Sequence, residues 1–116
     1  MNEFKDLNVM VRITIESNTC TEPHQGMLGK GVVQLLEGIQ ETGSLNHAAK
    51  DLAMAYSKAW RIVRDTEAGF GFPLIVRDGA RGSTLTPEGE KLVSAYREVQ
   101  DATTEFANGK LAELLK

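Results

Sequence analysis

Between positions 56 and 64 the chain carries Tyr56, Ser57, Lys58, Arg61 and Arg64, with no acidic residue among them. Hydroxyls, an ammonium and guanidinium groups in so short a span can donate to base edges and neutralise phosphates. Ala59, Val63 and Ile62 fall at helical spacing within the same stretch. They form a line to bury, which leaves the donors on the outer face of a helix, an element that fits a DNA major groove. Tyr56 and Trp60 lie one turn apart, and Trp60 is assigned to helix packing rather than to stacking on a base. A solvated helix face can carry similar charges, so the surrounding elements must decide between the two readings.

Those elements are the ones a groove-reading helix requires. Leu45, Ala48, Ala49 and Leu52 recur at i, i+3, i+4 and i+7, with His47 and Lys50 outside, so a first short helix has one narrow apolar stripe. Ser44 is its N-cap. The adjacent alanines allow close approach, and Leu52-Ala53-Met54-Ala55 leaves room only for a tight turn. The spacing predicts a helix-turn-helix over about 44–68. Ser44 and Asn46, at the start of the first helix, would donate to the DNA backbone.

Upstream, Val9, Val11, Ile13 and Ile15 alternate with polar neighbours and Met10, which predicts a strand with one buried face. Residues 17–29 contain Pro23, Gly26 and Gly29 and read as a connection. Val32, Leu35, Leu36 and Ile39 then give a helix that ends at Gly43. Downstream, Gly69 to Pro73 break the helical pattern. Leu74–Arg77 reads as a strand, 78–83 as a turn, and Thr84–Thr86 as its antiparallel return. This predicts a β-hairpin wing over about 73–86, whose Arg77 and Arg81 would reach a flanking phosphate or minor groove.

Thr86, Pro87, Glu88 and Glu90 are strong signals for the start of a long helix over about 87–115. Leu92, Tyr96, Val99 and Phe106 follow a heptad-like line along it, and a stripe this long needs a partner. A second copy of the chain is expected there, while Asn108-Gly109 should end or bend the helix before Leu111, Leu114 and Leu115. The fold class expected is α+β: a winged helix-turn-helix with an N-terminal strand, a β-hairpin wing and a long C-terminal dimerisation helix, one domain over 1–116.

Charge argues first against nucleic acid, because the 116-residue chain is formally −3. Its distribution reverses that inference. Residues 50–81 hold Lys50, Lys58, Arg61, Arg64, Arg77 and Arg81 against Asp51, Asp65, Glu67 and Asp78, a local +2 that leaves −5 for the remainder. Positive charge is concentrated on the candidate reading surface.

Other chemistries find less support. One cysteine excludes an intrachain disulfide, and Cys20, His24 and His47 lack the ligand spacing of a zinc site, so no metal is expected. Gly29-Lys30-Gly31 lacks both a preceding strand and a third glycine, which argues against a phosphate-cradling loop. Ser57 has no histidine in a known catalytic arrangement. We expect neither an enzyme nor a cofactor. No apolar run approaches a membrane span and no secretion signal opens the chain, so a cytoplasmic protein is expected.

The stretch GSLNHAAKDLAMAYSKAWRIVRDTE followed by PLIVRDGARGSTLTPEGEKLV resembles the N-terminal winged helix-turn-helix of ModE-type molybdenum-responsive regulators and, more distantly, the DNA-binding domain of LysR-type regulators. The resemblance runs from VRITIE through the last helix and is most specific at AYSKAW and LTPEGEKL. It implies a homodimeric regulator of transcription acting on double-stranded DNA, with Tyr56, Ser57 and Lys58 near base edges and Arg61 and Arg64 on phosphates. Position 55 holds alanine where that family has a capping serine, and the wing shortened to DGARGS is closer to a LysR-like one. Nothing matches the oxyanion-binding domains of ModE-type regulators, so no molybdate response is expected. Two alternatives stand beside this reading: a winged-helix protein-interaction module without DNA binding, and a redox or ligand sensor built on Cys20.

Overall fold

A computed structural model describes residues 3–22, 25–79 and 82–116. Its elements run β1 (Ile15–Glu16), β2 (Met27–Leu28), α1 (Lys30–Thr42), α2 (Leu45–Asp51), α3 (Tyr56–Phe70), β3 (Ile75–Arg77), β4 (Ser83–Leu85) and α4 (Pro87–Leu114). Two small antiparallel sheets result, β1 with β2 and β3 with β4. This is the α+β winged helix-turn-helix expected from the sequence.

The core collects the apolar stripes of all four helices. Val32, Val33, Leu35, Leu36 and Ile39 of α1 are buried against Leu45, Ala48 and Ala49 of α2 and Ala59 and Val63 of α3, with Leu28, Leu74, Ile75, Leu85, Val93 and Tyr96 closing the sides. The small residues decide how closely α1 and α2 approach. A Cβ on Gly38 would stand 2.6 Å from the Ala48 Cβ, so this crossing tolerates nothing larger. Ser44 caps α2 as expected, its hydroxyl accepting from the His47 N–H at 3.1 Å. The turn into α3 puts Ala53 at φ 53°, a left-handed conformation unusual for a residue with a Cβ.

The wing is closed at its base and tied to the end of α1 through its return strand. Thr86 caps α4 through the Gly89 N–H and donates its own hydroxyl proton to the Pro73 carbonyl at 2.9 Å. At the return strand, the Ser83 N–H donates to the Gly43 carbonyl at 2.8 Å. Gly82 must pass so near this carbonyl that a Cβ on it would lie 2.1 Å from the oxygen, and its φ is +94°. The register Ile75↔Leu85, Val76↔Thr84, Arg77↔Ser83 places the return strand one residue earlier than the sequence pattern suggests.

Four further expectations are corrected. First, the alternation from Val9 to Ile15 is real, with odd positions half-buried and even ones exposed, but only Ile15 and Glu16 enter a sheet. The partner of the extended segment is a helix. Tyr96 Oη donates to the Ile13 carbonyl at 3.2 Å and Gln100 Nε2 to that of Val11 at 2.6 Å. Asn108 meets Val9 on both backbone groups. Four helical residues advance about 6 Å and two extended residues about 6.6 Å, so Tyr96 and Gln100 match alternate carbonyls.

Second, Asn108-Gly109 does not end α4, which continues to Leu114. The Asn108 amide is engaged with the extended segment and with the Thr104 carbonyl, and one glycine costs a helix only about 1 kcal/mol. Third, the connection over 17–29 contains β2, paired Ile15↔Leu28 and Glu16↔Met27. Pro23 and His24 lie outside the described residues. Fourth, α3 continues through Gly69 to Phe70 before stopping at Gly71.

Candidate nucleic-acid interface

The exposed edge of α3 is prepared by what its other side buries. Ala59, Val63 and Thr66 face inward, with Ile62 half-buried beside them, while Tyr56, Ser57, Lys58, Arg61 and Arg64 are all exposed. Ala55 supplies no side-chain cap and the first turn holds no acidic residue, so the first N–H groups and the positive end of the helix dipole are left for an external anion.

The acidic residues of α3 lie beyond this edge. Glu67 Oε2 accepts from the Leu74 N–H at 2.7 Å and the Ile75 N–H at 3.2 Å, clamping the entry of the wing to α3. A count of charges sets this carboxylate against the local positive charge and misses its use. Removing it strands two backbone donors, so Glu67→Ala is expected to cost about 1–3 kcal/mol. A melting curve checks this; an unchanged midpoint would contradict the clamp.

At the other end of the edge, Ser44, Asn46, Tyr56, Arg77 and Ser83 line a single cleft of about 160 Å³ between the α2 N-terminus, the α3 N-terminus and the wing. Four residues singled out from sequence, Ser44, Asn46, Tyr56 and Arg77, are thus brought together from three elements. Ser57, Lys58 and Arg61 continue the surface along α3. Arg77 also lies over the Trp60 ring, its Cζ 4.8 Å from the centroid, and Arg64 lies 5.5 Å from the same ring. Arg81 lies outside the described residues.

The candidate dimer line divides. Tyr96 is 2% exposed and Leu92 packs against the core, so the structure spends both within one chain. The heptad-like reading groups Tyr96 with Val99. Its actual company is the polar row Tyr96, Gln100, Thr104 and Asn108, spaced by four, which is the signal that could have placed it. Val99 and Phe106 remain 50% and 74% exposed.

Cys20 is half-buried, its thiol donating to the Glu22 carbonyl at 3.8 Å. It sits near Gly26, which itself lies against Gly69 at the far end of α3 from Tyr56. Among the described residues no group of three or more His, Cys, Asp or Glu side chains is placed to hold a metal, and no helix is long and apolar enough to cross a membrane.

The family described as "Bacterial regulatory helix-turn-helix protein, lysR family" matches residues 32–90, from α1 through the wing to the start of α4. The chain belongs to this family. The chain is also similar to the molybdenum transport protein ModE of Azotobacter vinelandii, with 36% identity over 72 residues, 59% of this chain and 27% of that protein. It is similar over 90% of its length to the transcriptional regulator ModE of Haemophilus influenzae, at 27% identity and 39% of that protein. The chain therefore spans well under half of these relatives. Among solved structures it resembles the CbnR DNA-binding domain crystallised with DNA, at a TM-score of 0.59 and 23% identity, covering 72% of this chain and 95% of that one. That likeness supports the LysR-type winged fold.

Proposed function

We propose that this chain is a sequence-specific reader of double-stranded DNA that regulates transcription as a homodimer. The observation that carries the reading is the set of exposed donors made up of the uncapped start of α3, Lys58 and Arg61 along it, and the Ser44–Asn46–Tyr56–Arg77 cleft. Tyr56, Ser57 and Lys58 enter the major groove and meet base edges. Arg61 and Arg64 hold phosphates further along, while Asn46, Ser44 and the wing residue Arg77 hold the backbone on either side. An overall acidic chain adheres weakly to DNA at large, so affinity rests on this surface and on presenting it twice.

The second copy is supported by α4. Its 28 residues extend about 42 Å, and Val99, Phe106 and Leu114 lie exposed along its later turns. Two such helices packed across a two-fold axis would bury Val99 and Phe106 and set two reading helices about one DNA turn apart.

Lys58→Ala and Arg61→Ala test the surface directly. Both side chains are exposed, so circular dichroism should be unchanged. Affinity for a selected duplex should fall about 10-fold for each, and a lost phosphate contact should reduce the slope of log affinity against log salt by about 1. Anisotropy titrations at several salt concentrations check both. Undiminished affinity in both variants would remove α3 from the interface.

A further inference from the structure

Trp60 is the one tryptophan of the chain, and it carries two guanidinium groups from different elements. Arg64, one turn further along α3, has its Cζ 5.5 Å from the ring centroid. Arg77, from the wing strand β3, has its Cζ 4.8 Å from the same centroid. The indole is half-buried, with one side packed on the core, while both arginines are exposed. Among the described residues neither arginine has an acidic partner. The face of an aromatic ring, tryptophan best of all, attracts a cation through its quadrupole and leaves the guanidinium N–H groups free to donate.

We propose that Trp60 is a positioning residue that holds Arg64 and Arg77 together at the seam between the reading helix and the wing, presetting both for the DNA backbone; this rests on the DNA-reading function above. Without the ring, two long like-charged side chains repel one another and sample many rotamers, and each must be ordered when DNA binds. With the ring, the helix and the wing offer two guanidiniums at a defined spacing. Trp60 itself touches no base. It acts through the arginines, which gives a structural-looking residue a measurable part in binding.

Two measurements test this on the whole chain. In the absence of DNA, all tryptophan emission comes from Trp60, so Arg77→Ala should uncover the ring and raise acrylamide quenching by roughly half or more. In DNA titrations Trp60→Leu should weaken binding about 10-fold and Trp60→Phe, which keeps a ring, no more than about 3-fold. In an Arg64→Ala/Arg77→Ala background Trp60→Leu should cost less than about 2-fold, because a positioning residue has nothing left to position. Melting curves for each variant separate this coupling from a loss of core packing. Quenching unmoved by Arg77→Ala would overturn the stack. A Trp60→Leu loss of the same size in both backgrounds would overturn the positioning role. If the wild-type protein binds no duplex DNA, the functional reading falls and this proposal with it, whereas intact binding with additive losses leaves that reading standing and rejects this one.

Discussion

Replacing Val99 and Phe106 together by glutamate is expected to produce a folded monomer whose affinity for a two-half-site duplex is lower by about 100-fold or more. Both side chains are at least half exposed in the single chain, so neither substitution should disturb the core. Their effect falls on the paired state, where two glutamates from each copy would be brought together without water. Loss of the pair converts the second half-site contact from an intramolecular event into an independent one, and effective-concentration gains of about 10²–10⁴ disappear. Light scattering and titration of the duplex measure the two halves of the prediction. A wild-type chain that stays monomeric at high micromolar concentration while binding with full specificity would contradict the assembly.

Gly82→Ala is expected to be the most damaging single substitution in the wing, costing about 3 kcal/mol, from about 1–2 kcal/mol for the positive φ and about 1–3 kcal/mol for forced packing. The Cβ it adds would fall 2.1 Å from the Gly43 carbonyl oxygen, which is the acceptor that anchors β4 through the Ser83 N–H. The clash is with backbone on both sides, so no side chain can swing away. Relief requires moving the wing off the junction of α1 and α2, and Arg77 moves with it. Gly79→Ala supplies the control, because Gly79 also has positive φ, at +46°, but a Cβ there meets nothing within 4 Å. The Gly82 variant should lose about 10 °C of melting temperature and bind DNA at least about 10-fold more weakly; the Gly79 variant should show only the smaller conformational cost. Equal effects at the two positions would mean that the close approach at Gly43 does not fix the wing.

The helices and their caps were legible in the sequence because the information is local. Ser44, Thr86 with Pro87, and the apolar spacing of α1, α2 and α3 each specify their element within a few residues, and the structure forms all of them. The fates of Val9 to Ile13 and of Tyr96 were not legible, because they depend on each other across more than eighty positions. A period of two predicts an extended segment with one buried side, and it says nothing about whether the neighbour is a strand or a helix offering hydroxyl and amide groups.

The same limit applies to the site. Residue type identified Asn46, Tyr56, Lys58, Arg61 and Arg77 as donors, and the fold gathers Asn46, Tyr56 and Arg77 at one cleft. It could not show that Glu67 is committed to the wing backbone or that Arg64 and Arg77 share one indole, since these are contacts between elements. The local charge count therefore missed how Glu67 is used.

The central claim, that α3 and the wing read double-stranded DNA, is tested most directly by selecting duplexes from a randomised pool with the wild-type chain and with Lys58→Ala/Arg61→Ala in parallel. The wild type should enrich an inverted repeat whose half-sites are centred about 10 base pairs apart, and the double variant should enrich nothing. A wild-type selection without any enriched sequence, or the same enriched sequence from the double variant, would contradict it.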